Sequence, residues 1–189
     1  MITRPGSQES DVVLRDGSTV HVCPAKPADA PAVRLLLNGL SARSRWLRFF
    51  SAFPNLAKAA RWTTEIDNGD RYGLVATTER DGRMVGHAGL ERASDRPERA
   101  EVALEIADTM QGKGLGTVLL CRLAEAANEL GIQVLDAEVL PENRQMIRVF
   151  RDCGYPVKVH SFPGVELVEL RTSRAAKVPK TLEPHNQAA

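Results

Sequence analysis

The run Gln111-Gly112-Lys113-Gly114-Leu115-Gly116-Thr117 carries the densest chemistry in this sequence. It follows an apolar stretch over 101–106 that reads as a strand, and it opens an amphipathic stretch that reads as a helix. Glycine lets a chain turn tightly and lets a ligand reach N–H groups that a Cβ would shield. The first amides of a helix have no partner inside it, and that end carries partial positive charge. Strand, glycine turn and helix together make an anion site, and the expected guest is a phosphate or pyrophosphate.

Spacing separates the possible guests. A nucleoside-triphosphate loop needs a glycine six positions before its lysine and a Ser or Thr after it; here those positions are Ala107 and Gly114. A dinucleotide fingerprint would use Gly112, Gly114 and position 117, which is Thr117. It would also stand near the start of the domain, and here three predicted helices come first. A helix N-terminus with glycines for close packing is the plain structural alternative.

Elements on both sides position the loop. Residues 114–130 place Leu115, Leu119, Leu123, Ala127 and Leu130 on one helical face, and Gly131 ends the helix. Residues 132–139 read as a strand. Pro141 and Asn143 introduce a second helix with Met146, Val149, Phe150 and Cys153 on one side, stopped by Gly154-Tyr155-Pro156. Upstream, residues 12–14 and 20–22 flank the hairpin signal Asp16-Gly17, and residues 72–79 and 84–92 flank Asp81-Gly82. Residues 99–106 continue that meander. Helices are expected from Asp29 to about Asn38, over 41–50 and over 55–66; a last strand pair brackets Pro163-Gly164. The fold class is α/β, with a mixed, mostly antiparallel sheet flanked by helices. A flexible arm is expected over 1–11, one domain over 12–171 and a disordered polar tail over 172–189.

Gln111-x-x-Gly114-x-Gly116 resembles the acetyl-CoA loop of the GNAT acetyltransferase superfamily. The run Asn143-x-x-Met146-x-x-x-Phe150-x-x-x-Gly154-Tyr155 resembles its second signature, at the family's separation. Two further runs, Leu40-Ser41-Ala42-Arg43-Ser44-Arg45-Trp46-Leu47-Arg48-Phe49 and Ala100-Glu101-Val102-Ala103-Leu104-Glu105-Ile106-Ala107-Asp108, resemble those of bacterial Pat-type protein-lysine acetyltransferases. The resemblance implies a GNAT fold and acetyl-CoA as co-substrate. The acceptor would be a primary amine, a protein lysine by the Pat resemblance, reached by direct transfer in a ternary complex. It places the pyrophosphate on the backbone of Gln111, Gly112, Lys113, Gly114, Leu115, Gly116 and Thr117. The pantetheine arm would lie against Ile106 and Ala107, beside a β-bulge that parts two parallel strands. Asn143 either bonds that arm or caps its helix, or does both.

Acyl transfer to an amine needs a base, because an ammonium has no lone pair and lysine starts near ~10.4. Glu101 is the candidate by the resemblance, partly buried beside the cofactor so that its pKa rises; Glu105, on the same face unless a bulge intervenes, is the rival. Phe150 stands where many GNAT enzymes carry a tyrosine acid, so the proton for the leaving thiolate must come from elsewhere. His87 is expected in the core or on the sheet surface. The helix over 41–50 is an amphipathic cover that walls the acceptor cleft in the family, which would let Arg45 and Trp46 help choose the substrate.

Formal charge is +1, giving no general push toward nucleic acid or an anionic membrane. No apolar leader or membrane-length run is present, so the cytoplasm is the expected compartment. Cys23, Cys121 and Cys153 show no metal-ligand spacing with the four histidines, and neither zinc nor a disulfide is expected. Two other functions stay open: acetylation of a small amine, and an acyl-CoA-sensing module without turnover.

Overall fold

The computed structural model describes residues 9–51, 53–67 and 69–173. Residues 1–8 of the expected arm and 174–189 of the expected tail lie outside them. Ser10 and Asp11 already belong to the first strand, and Thr172 is buried with its hydroxyl donating to the Ile132 carbonyl at 2.7 Å.

Hairpin strands β1 (Ser10–Val13) and β2 (Thr19–Pro24) lead into three helices, α1 (Ala30–Gly39), α2 (Ala42–Phe49) and α3 (Leu56–Thr64). Strands β3 (Arg71–Thr78), β4 (Met84–Arg92) and β5 (Arg99–Ile106) form a meander. Then come α4 (Leu115–Glu129), β6 (Val134–Val139), α5 (Arg144–Asp152), β7 (Val157–Phe162) and β8 (Val165–Arg171). One sheet takes all the strands in the order β1-β2-β3-β4-β5-β6-β8-β7. Every pairing is antiparallel except β5 with β6.

Strand alternation sorts the two faces. Val22, Leu74, Ala88, Val102 and Leu135 point toward α4 and α5, where Leu115, Leu119, Leu123 and Phe150 complete one core. Val75 faces the other way and packs with Val33, Leu36 and Leu37 of α1 and Ala60 of α3. The buried face of α4 is wider than the expected stripe, adding Leu120, Ala124 and Ala126, because the helix lies between the sheet and α5. Gly86 sits beneath it: a Cβ there would lie 3.1 Å from Leu115 and Leu119, so its absence lets the start of α4 close on the sheet.

One feature of the register creates the site. Parallel pairing of β5 with β6 covers only Arg99↔Val134, Ala100↔Leu135 and Glu101↔Asp136. Beyond it β5 stays with β4 as far as Ile106↔Gly86, while β6 stays with β8 as far as Val139↔Glu166. The sheet opens between them. No bulge does this: the β4–β5 register is unbroken, and the shift in the meander lies between Ala76 and Thr77. Arg99 clamps the closed end, its Nε donating to Asp136 at 2.8 Å and its Nη2 to Glu169 at 2.5 Å.

Candidate active site

The parted strands border a cavity of about 360 Å³. Glu101 to Ile106 of β5 form one wall and Ala137 to Val139 of β6 the other, with Gly116 of α4, Asn143 and Met146 of α5, and Arg48 and Phe49 of α2 around it. Antiparallel ladders alternate their bonding direction. Ala107 N–H donates to Val85 at 2.9 Å and Ala93 N–H to Arg99 at 2.9 Å, so the odd residues of β5 bond to β4. The even residues turn the other way, and past the last β6 pair Leu104 and Ile106 aim their N–H groups into the cleft. Of the two expected backbone contacts, Ile106 has its N–H facing the cleft, whereas the Ala107 amide is taken by Val85 and its carbonyl accepts from Met110; Leu104 N–H also faces the cleft.

At the far end of the cleft the glycine loop turns into α4. Gly112 and Gly114 hold φ of 76° and 95°, and Gly114 is the N-cap of α4 with no side chain capping it. The first-turn amides of Leu115, Gly116 and Thr117 are left for a guest. Leu115 buries its side chain in the core, so it offers only backbone. Lys113 turns aside: its Nζ pairs with Asp16 at 2.9 Å, and the Ser18 hydroxyl and then Lys113 hold that carboxyl below the usual range. Arg15, whose N–H donates to the Lys113 carbonyl at 3.1 Å, brings its own side chain against Gly114.

Motif residues far apart in sequence meet in one knot. Ser41 caps α2 by accepting from Ser44 N–H, and Asp108 accepts from Ser41 N–H at 2.7 Å and from the Ser44 hydroxyl. Gln111 Nε2 donates to Asp108 at 3.2 Å, to Ser44 Oγ at 3.2 Å and to the Ile106 carbonyl at 3.1 Å. Burial works against the Asp108 charge, yet these donors keep its pKa below the ordinary value. Gln111 thus lines the cleft while tying the glycine loop to α2. Asn143 caps α5 by accepting from Met146 N–H at 3.2 Å, and it also lines the cleft.

The two carboxylates of β5 have opposite surroundings. Glu101 is exposed, not partly buried, and its side chain makes no hydrogen bond or ion pair among the described residues. Glu105 is 3% exposed and accepts from Arg48 Nε at 2.5 Å and from His87 Nδ1 at 2.7 Å. Burial alone would raise its pKa, but the Arg48 charge and the His87 bond hold it low, which makes it a poor proton acceptor. His87 is its cross-strand partner and fully buried, with Gly73 and Gly89 leaving room for the ring. Arg48 lines the cleft, whereas Arg45 and Trp46 do not. Phe150 is buried in the core, and neither tyrosine lines the cleft.

A parted parallel seam, backbone donors aimed into it and an uncapped helix start form a cradle for a thioester arm ending in phosphates. The sequence model described as "Acetyltransferase (GNAT) domain" matches residues 20–156. The chain belongs to the GNAT acetyltransferase family. Its family co-substrate is acetyl-CoA, and the uncapped amides and the glycines of the loop fit that group. The GNAT domain of Streptomyces lividans PAT is 38% identical, with 86% of this chain and 96% of that one covered and a TM-score of 0.77. Acetyltransferase Pat of Mycolicibacterium smegmatis is 29% identical over 89% of this chain; the chain spans about half that protein's length, 50%. YncA from Salmonella typhimurium, solved with its cofactor acetyl-CoA, shares the fold at 19% identity, covering 83% of this chain and 96% of that one with a TM-score of 0.65. Among the described residues of this GNAT chain no helix is long and apolar enough to cross a membrane.

Sequence reasoning missed four contributors: Leu104, Arg48, Arg15 and the Arg99 clamp. The GNAT strand run contains Leu104, and antiparallel alternation could have singled out its amide. The other three depend on partners far along the chain.

Proposed function

We propose that this chain moves an acetyl group from acetyl-CoA to a primary amine, the ε-amine of a protein lysine, by direct transfer in a ternary complex. The observation that carries this reading is the parted β5–β6 seam, with Leu104 and Ile106 donors facing a cleft that Glu101 borders. Acetyl-CoA, when bound, supplies an acetyl group activated as a thioester. The loop amides from Gln111 to Thr117 grip its pyrophosphate, and Asn143 meets the pantetheine arm. Glu101 takes the ammonium proton, directly or through water, because it is exposed and unpartnered. A Leu104 or Ile106 amide stabilises charge growing on the acetyl oxygen. The CoA sulfur leaves as thiolate or takes its proton from water, since no tyrosine borders the cleft.

Charge supports a cationic acceptor. Glu101 and Glu138, both exposed, line the cleft on one sheet face. The resemblance of the 40–49 and 100–108 runs to Pat-type enzymes points to lysine in particular. The test is incubation with isotopically labelled acetyl-CoA and a panel of lysine-containing proteins and peptides, alongside free polyamines. Label on protein lysines is the expected result. Glu101→Gln should slow transfer roughly 10²–10³-fold while acetyl-CoA binding stays unchanged. Label on polyamines alone would move the acceptor to small amines. Tight binding with no turnover in either form would replace the enzyme with an acyl-CoA sensor.

A further inference from the structure

We propose that Cys121 and Cys153 are a disulfide-forming pair that joins α4 to α5 under oxidation. The sequence spacing predicts no bridge, yet the fold puts these sulfurs in contact: the Cys153 thiol donates to Cys121 Sγ at 2.6 Å, and the Cys121 thiol donates to the Cys153 carbonyl at 3.2 Å. That sulfur separation is well inside an ordinary non-bonded contact and roughly half an ångström beyond a bond. The two cysteines sit on separate rigid elements, Cys121 within α4 and Cys153 at the C-cap of α5. Packing fixes both: Cys153 is buried in the main core and Cys121 packs against it half-buried. Chain entropy that usually separates two thiols is therefore already lost on folding. The third cysteine, Cys23, lies on β2, in the cluster on the opposite sheet face.

The half-buried Cys121 is the thiol that an oxidant reaches first. With hydrogen peroxide, its thiolate attacks one oxygen, the O–O bond breaks, and the departing hydroxide takes a proton to become water. Cys153 sulfur then attacks the Cys121 sulfenic sulfur. The S–O bond breaks, the S–S bond forms, and a second water leaves with the Cys153 proton. Two thiols lose two electrons and two protons, and one peroxide is reduced to two waters. A dithiol reverses the step.

The bond would join α4 to α5 beside the cleft, where Gly116 brings α4 close to Val149 of α5. It closes a loop containing β6, so it constrains the unfolded chain more than the folded one. None of this depends on the acetyl-transfer reading, and the test needs no acetyl-CoA. The purified protein is treated with dilute hydrogen peroxide, its remaining thiols are alkylated, and it is digested with trypsin. The expected result is a cross-linked peptide pair containing residues 114–122 and 152–158, lighter by about 2 Da than the two thiol peptides and separated by dithiothreitol. Cys23→Ser should still form it. The oxidised protein should melt at least several degrees above the reduced one, and Cys121→Ser and Cys153→Ser should lose that increment. Cys121 and Cys153 recovered singly alkylated, or oxidised to sulfinic acid without a cross-link, would overturn the proposal. So would a cross-link between chains in place of the internal one.

Discussion

Glu101 and Glu105 lie four residues apart on one face of β5, and their surroundings are opposite. The buried carboxylate of Glu105, held by Arg48 and His87, stays ionised at neutral pH. Glu105 fastens α2 to the sheet. Because its folded pKa is depressed, the unfolded chain takes up its proton first, and acid favours unfolding. Its contribution is complete above its ordinary value of 4.5 and is lost as pH falls toward about 2. Glu105→Gln leaves the half-buried Arg48 and the buried His87 without their anion, and should cost roughly 1–3 kcal/mol at neutral pH. Thermal melts from about pH 6 to about pH 3 should fall more steeply for the wild type than for this variant; parallel curves would contradict the assignment. Nothing local marks Glu105 as different from Glu101 in the sequence. Its partners stand 57 and 18 residues away, and only folding delivers them.

At the scale of elements, the start of α4 and the closed end of the seam carry the design. Gly114 holds a φ of 95°, closed to β-branched residues. Gly114→Val should weaken acetyl-CoA binding tenfold or more, about 1.4 kcal/mol, with the fold retained by circular dichroism. Unchanged affinity would mean that the loop does not grip the phosphates. Arg99 ties β5 to β6 and β8 just below the opening. Arg99→Met should cost roughly 1–3 kcal/mol, read as a drop of several degrees in melting temperature; no change would show that the seam is held by packing alone. The helices and strands themselves were legible. Leu115, Leu119 and Leu123 recur at helical spacing, and Asp16-Gly17 and Asp81-Gly82 mark turns chemically. The family resemblance implies a bulge where β5 parts from β6, and the sequence cannot correct it, because a strand reads alike whichever neighbour it pairs with. Its true cause is where pairing stops, a long-range fact. Lys113 shows the same limit: its partner Asp16 arrives from the first hairpin.

Across the whole molecule, one sheet is cut partway along a single seam, and three groups of elements meet at the cut. α4 brings the glycine loop, α5 brings Asn143, and α2 is tied to the cut through the Ser41–Ser44–Asp108–Gln111 knot and the Arg48–Glu105 pair. The family motifs made the starts of α4 and α5 legible, since their residues keep fixed spacing along a helix start. The α2 side was only partly legible: Ser41, Ser44 and Arg48 share one run with Arg45 and Trp46, and only their long-range partners single them out. The central claim is that the parted seam and glycine loop form one acetyl-CoA site. Calorimetric titration of the folded protein with acetyl-CoA tests it most directly, with acetate and NAD as controls. Saturable binding at one site per chain, weakened by Gly114→Val and unaffected by Glu101→Gln, is the predicted result. A folded protein that takes up no acetyl-CoA would contradict it, and with it the roles given to the loop, to Leu104 and Ile106, and to Glu101.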